Sequence, residues 1–153
     1  MSDAPALILP EKSRSIGNDL RRRLGAGKVK DDFPTITAYS VDASIYKVVP
    51  KAVVQAETED DIAATVAYAM ATGVPITPRA AGTNLTGSAV GEGIILECGR
   101  MNRILELNVE EKWVRVQPGL NLTEFNKKLE PHDLMFGPDP SSRDMCKLGG
   151  MLS

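Results

Sequence analysis

The sequence predicts an α+β chain: a small parallel βαβ unit followed by the start of a mostly antiparallel unit. Three observations predict it. Short β-branched runs alternate with one helix-patterned segment between residues 52 and 97. A long Gly-rich loop, Arg79 to Gly93, interrupts that alternation. Two further apolar runs then flank a polar stretch, the pattern of an antiparallel hairpin.

The elements follow in chain order. Residues 1–50 read as an irregular, extended lead-in with one short helix. Ser13 or Ser15 is the expected cap of that helix, which runs to Leu24 and stops at Gly25 and Gly27. Residues 28–50 carry Pro34, Pro50 and few periodic apolar positions, so they are expected to wrap over something larger. Ala52 to Ala56 is a β-branched run that suits a buried strand. Thr58-Glu59-Asp60-Asp61 offers a Thr-x-x-Asp helix start, with acidic residues where the helix dipole favours them. Ile62, Val66, Ala69 and Met70 are predicted to share the inward face, and Gly73 to end the helix. Val74 to Pro78 is a second strand whose prolines confine it to an edge or to strand ends. Ile94 to Glu97 is a third.

Ile104 to Leu107 and Trp113 to Gln117 pair around Asn108–Lys112. Val114 and Val116 share one face of the second strand, and Trp113, Arg115 and Gln117 the other. After Pro118-Gly119, Asn121 caps a short helix with Phe125 and Leu129 inward, ended by Pro131. Residues 137–142 and 148–151 read as loops with special backbone positions.

Composition bounds the function. The chain has 153 residues, enough for one modest domain with a core. Eighteen basic residues against 20 acidic ones leave a net charge of −2, which offers no electrostatic footprint for nucleic acid. Arg21-Arg22-Arg23 reads as a solvated helix face. No apolar run is long enough to span a membrane, and Ala6–Leu9 is too short for a signal peptide, so a cytoplasmic location is expected. Cys98 and Cys146 have neither metal-site spacing nor a disulfide framework, and read as buried thiols.

The chemistry concentrates in Arg79-Ala80-Ala81-Gly82-Thr83-Asn84-Leu85-Thr86-Gly87-Ser88. The loop leaves the end of a strand, and its small residues let backbone N–H groups approach a ligand. Successive N–H groups of this kind form a concave nest for anions such as a pyrophosphate. The Walker A pattern is absent, because no lysine follows Gly87. The Rossmann fingerprint is absent too, because residues 82–87 give Gly-x-x-x-x-Gly and do not open a helix. Composition leaves a plain surface loop as the other reading. Pro138-Asp139-Pro140-Ser141-Ser142 offers two stiffening prolines and two hydroxyls, or simply a turn. Gly149-Gly150 permits close backbone approach.

Taken in order, these segments resemble the FAD-binding, PCMH-type domain of the vanillyl-alcohol oxidase / p-cresol methylhydroxylase superfamily. Within it the chain is most similar to the branch of glycolate oxidase and D-lactate dehydrogenase. The resemblance runs from about residue 40 to 153. It is carried by Asp42-Ala43-Ser44-Ile45-Tyr46, Pro50–Val54, Pro78–Gly87, Arg100–Ile104, Val116–Gly119, Gly137–Ser142 and Gly149–Met151.

The resemblance implies FAD as cofactor and a PCMH-type domain over residues 51–153, cut short at its C-terminal end. It implies that Arg79, Ala80, Ala81, Gly82, Thr83, Asn84, Leu85, Gly87 and Ser88 wrap the pyrophosphate. Pro138, Asp139, Ser141, Ser142, Gly149 and Gly150 would lie along the flavin and pyrophosphate. Many members have Gly where this chain has Ala80 or Ala81, so residue 80 is expected at negative φ. A carboxylate beside a diphosphate is repelled, so Asp139 should turn away and cap a turn. Arg79 either neutralises phosphate or pairs with an acidic neighbour, the latter favoured.

By the same resemblance the whole enzyme oxidises a 2-hydroxy acid. A base takes the hydroxyl proton while hydride passes from the α-carbon to the flavin. No catalytic group is assigned to these 153 residues. His132 reads as a surface residue, FAD is expected to be non-covalent, and the base is expected beyond Ser153. An electron acceptor or a fused iron–sulfur domain is a possible partner, by analogy with a subgroup sharing the Asp42–Tyr46 pattern. The chain alone is expected to bind FAD weakly and to be inactive. The competing readings are a nucleotide-binding module without redox chemistry and an incomplete piece with no ligand.

Overall fold

The computed structural model describes residues 11–152, with side chains described from residue 16 onward. Helix α1 spans Glu11–Leu24, strand β1 Val29–Lys30 and helix α2 Phe33–Tyr39. Then come β2 (Ala52–Gln55), α3 (Glu59–Thr72), β3 (Ile76–Arg79) and β4 (Ile94–Glu97). The second half holds β5 (Ile104–Asn108), β6 (Trp113–Val116), α4 (Leu122–Leu129) and the one-turn α5 (Leu148–Met151). No helix among the described residues is long and apolar enough to cross a membrane.

Four strands form the first sheet in the order β1-β2-β4-β3. β4 is parallel to both β2 and β3, and β1 runs antiparallel to β2. The central pair is buried on both faces, as expected of parallel strands covered by helices on each side. Alternation along these strands sorts the core. Ala52, Val54, Ile94 and Leu96 pack with Ile16 and Leu20 of α1 and Tyr68 of α3. Val53 and Ile95 face the other way, onto Ile36 and Tyr39 of α2. Pro78 lies in β3, an outer strand, where its missing donor costs least.

The second sheet is the β5–β6 hairpin, with an irregular register between Ile104 and Glu106. Val114 and Val116 turn inward onto Phe125 and Leu129 of α4, while Trp113 and Arg115 turn out. Asn121 caps α4, its side chain accepting from Glu124 N at 3.2 Å. The fold is therefore the expected α+β arrangement: a mostly parallel sheet with helices, then an antiparallel unit.

Several expectations are corrected. Ser13 and Ser15 lie inside α1, which already begins at Glu11. The stretch 28–50 is not irregular throughout, since it contributes β1 to the sheet and α2 to one of its faces. Two residues of strand and seven of helix are too short for periodicity to reveal. On α3 the inward face is Asp61, Thr65, Tyr68 and Ala69, with Ile62 half-buried, whereas Val66 and Met70 are exposed. The capping box draws Asp61 into the protein, and this rotates the helix away from its most apolar stripe. Arg22 is solvated, but Arg21 pairs with Asp31 and Arg23 stacks over Tyr68 at 5.6 Å. Residues 148–151 form a helical turn rather than a loop.

Candidate functional site

β3 and β4 are parallel neighbours, so the chain leaving Arg79 must return along the sheet edge before entering Ile94. That return is the Gly-rich loop. Gly82 and Gly87 adopt φ of 72° and 77°, a region where a side chain is strained. Ala80 has ordinary negative φ, as expected, and so does Ala81, because Lys112 and Asp133 are the non-glycine residues with positive φ among those described.

The loop faces a cavity of about 450 Å³. Its walls are residues 78–84, Ser88 and Ala89 on one side, and Pro140, Ser142, Cys146, Lys147, Gly150 and Met151 on the other. Parts of all three segments singled out in the sequence thus meet there: Arg79 to Asn84 with Ser88, Pro140 with Ser142, and Gly150. Along the loop the N–H groups of Ala80, Ala81, Gly82 and Thr83 have no hydrogen-bond acceptor within the described residues. Four adjacent donors without partners on a cavity wall suit an anionic ligand. Small side chains at 80–82 leave that approach open. A diphosphate-bearing cofactor fits these donors.

The side chains around the loop shape it. Arg79 Nη1 donates to Val41 O at 2.8 Å and more weakly to Tyr39 O and Ala89 O, and the guanidinium lies 5.0 Å over the Tyr39 ring. Its partners are carbonyls and a ring rather than the acidic neighbour expected. Asn84 Oδ1 accepts from Ser88 N at 2.9 Å and Thr86 N at 3.2 Å, closing the far turn. Asp42 accepts from Asn84 Nδ2 at 2.9 Å, Ser44 N at 2.9 Å and Ala89 N at 3.3 Å. Burial pushes the Asp42 carboxyl up, but the hydrogen bonds from Ser44, Asn84 and Ala89 outweigh it and hold the group below its ordinary range.

Six expected contact residues lie off this cavity. Leu85 points to solvent. Gly87 sits under the Tyr46 ring, which a Cβ would meet at 2.6 Å. Gly149 packs on Pro118, so its small size serves helix docking. Pro138 and Ser141 are exposed. Asp139 pairs with Arg143 at 3.4 Å and caps no turn; it faces a separate groove beside α4. Conversely, Lys147, Cys146 and Met151 line the cavity without having been singled out. The Asn121–Lys147 bridge brings them in, and no local motif announces such a long-range contact.

His132 is exposed and away from the cavity. Burial, and then the charge of Glu97, pushes the Cys98 thiol up, so it stays a protonated core group.

The family described as FAD binding domain matches residues 50–153. D-2-hydroxyglutarate dehydrogenase of Pseudomonas putida is 38% identical over 98% of this chain and 15% of its own length. Glycolate oxidase subunit GlcD of Escherichia coli is 32% identical over 93% of this chain and 29% of its own. The solved structure of p-cresol methylhydroxylase with substrate bound superposes with a TM-score of 0.77 at 20% identity, covering 90% of this chain and 28% of that one. The chain thus spans under a third of the length of these proteins. The chain belongs to the FAD binding domain family, shares its fold with p-cresol methylhydroxylase, and is similar in sequence to D-2-hydroxyglutarate dehydrogenase and glycolate oxidase subunit GlcD.

Proposed function

We propose that this chain is the FAD-holding part of a flavin-dependent oxidoreductase whose whole length oxidises a 2-hydroxy acid of the D-lactate or glycolate kind. One observation carries the cofactor half of this reading: the unpartnered N–H groups of Ala80, Ala81, Gly82 and Thr83 on a cavity closed by Pro140, Ser142 and Gly150. In this reading those four donors bind the pyrophosphate. The Ser142 hydroxyl adds a donor from the opposite wall. Lys147, whose Nζ donates to Gly119 O at 3.0 Å, places positive charge beside the diphosphate. Arg79 holds the start of the loop against the 39–41 backbone and leaves the donating to the loop itself.

FAD, when bound, supplies the two-electron acceptor for a substrate α-carbon hydride. The relatives named for D-2-hydroxyglutarate and glycolate support the substrate class. An electron acceptor or a fused iron–sulfur domain would be the partner that reoxidises the cofactor.

The test is the visible spectrum of the purified full-length protein, followed by anaerobic addition of D-lactate, glycolate and D-2-hydroxyglutarate. Flavin bands that bleach with one of these acids are expected. No flavin bands after FAD is supplied would overturn the cofactor half. Bands that none of the acids bleach would overturn the substrate half.

A further inference from the structure

The cofactor loop has no ladder of its own to hold its shape. Between the last residue of β3 and the first of β4 its backbone forms only bends and turns. What fixes it is a neighbouring segment, residues 39–44, which grips it at three places. At the near end Arg79 Nη1 donates to Val41 O at 2.8 Å. At the far end Asp42 uses both carboxylate oxygens: Oδ1 accepts from Ser44 N, and Oδ2 accepts from Asn84 Nδ2 and Ala89 N. Between these ends Ala43 N donates to Gly82 O at 3.0 Å, which turns that peptide's carbonyl toward the 42–44 segment.

Asn84 is the hinge of this arrangement. Its Nδ2 is taken by Asp42, so its Oδ1 is left aimed at Thr86 N and Ser88 N. An amide so oriented cannot rotate without losing both sets of bonds. Asp42 touches no face of the cavity, whereas Asn84 is on its wall.

We infer that Asp42 is the positioning residue of the cofactor site: through Asn84 it holds the Ala80–Thr83 N–H groups in the curvature that receives the FAD pyrophosphate. The inference rests on the proposed FAD-binding function. A neutral amide at 42 cannot replace the carboxylate. In either orientation its NH₂ faces a donor, Ser44 N in one and Asn84 Nδ2 with Ala89 N in the other. Asp42→Asn should therefore loosen the loop nearly as much as Asp42→Ala, although the shape of the side chain is kept.

The experiment measures the dissociation constants of FAD and of ADP for the deflavinated full-length protein and for its D42N and N84A variants. ADP carries the diphosphate without the flavin ring. Val54→Ala, a core change off the cavity lining with β4 between it and β3, is the comparison for a merely structural loss. D42N and N84A are expected to weaken FAD and ADP by the same factor, about tenfold or more, for loss of two to three hydrogen bonds' worth of preorganisation. V54A is expected to lower the melting temperature and leave both constants within twofold.

If D42N does not fold, N84A breaks the same link from the loop side. Wild-type protein that binds FAD, with D42N and N84A within twofold of it, would overturn the inference alone. So would weakened FAD with unchanged ADP. Wild-type protein that binds neither would overturn the function and the inference together.

Discussion

Buried charge persists in a fold only where donors surround it, and Asp61 meets that condition. Lys28 Nζ lies 2.8 Å from both its oxygens, and the N–H groups of Glu57 and Thr58 donate to Oδ2 at 3.0 Å. Thr58 Oγ1 accepts from Asp61 N in return, completing the capping box of α3. Burial pushes the carboxyl up, but the Lys28 ammonium and the backbone donors hold it below its ordinary value of 3.8. A depressed folded-state pKa means that the stabilisation is complete above 3.8 and lost as pH falls through the folded value.

Asp61→Asn is therefore expected to cost about 2–3 kcal/mol at neutral pH, from one capping interaction and the charge-assisted bonds. Its penalty should shrink between about pH 5 and pH 2. Urea unfolding of both proteins across that range checks it. A penalty that stays constant with pH would show that the ionised carboxylate is not the source. Asp42 also titrates low, but it does so equally in both proteins, so the difference isolates Asp61.

At the scale of elements, α3 and α5 show what the chain advertises and what it hides. The helix α3 was legible from Thr58-x-x-Asp at its start and Gly73 at its end, where φ is 70°. Its orientation was not. Hydrophobicity pointed to Val66 and Met70 along with Ala69, yet Asp61, Thr65 and Tyr68 are buried with Ala69, and Met70 is 82% exposed. A helix of alternating Ala has apolar atoms on every side, so the cap and the large Tyr68 ring decide the rotation. Tyr68→Ala should cost about 3–4 kcal/mol, whereas Met70→Lys should stay within about 0.5 kcal/mol. Comparable losses for both in chemical denaturation would contradict the assigned face.

In α5 the two glycines separate by function. A Cβ on Gly149 would lie 2.6 Å from Pro118, whereas one on Gly150 would meet nothing within 4 Å. Gly149→Ala is expected to destabilise by about 1–3 kcal/mol through overpacking. Gly150→Ala should leave stability nearly unchanged and weaken FAD, because that residue forms the cavity wall. The Gly-Gly pair was visible in sequence as a place of close approach. Which glycine approaches protein and which approaches cofactor depends on Pro118, some 30 residues away, and no local pattern encodes it.

Among the described residues the cavity lies between two packed units. One has core on both faces of the parallel sheet, and the other is the hairpin with α4 and α5. They touch through short backbone seams. Gly119 N donates to Met101 O at 2.7 Å, and a side chain at Gly119 would collide with the Cys98 and Gly99 carbonyls. The cavity takes one wall from the β3–β4 loop and the other from residues 140–151, so a ligand in it bonds both cores at once.

Linkage then fixes the consequence. A ligand at a hundredfold its dissociation constant adds about 2.7 kcal/mol to the state that binds it. The state that binds here is the one with both walls in place. Separation of the hairpin core from the sheet core should therefore become as unfavourable as global unfolding when FAD is bound. Hydrogen exchange of the full-length protein with and without FAD reads this directly. The amides of Ala80 to Thr83, unpartnered without ligand, should slow most. The amides of Cys146 and Leu148, bonded to Ser142 O and Leu120 O, should slow alongside them although they lie on the other core. Protection confined to residues 80–83 would mean that FAD rests on the loop alone, and the two-walled site would have to be abandoned.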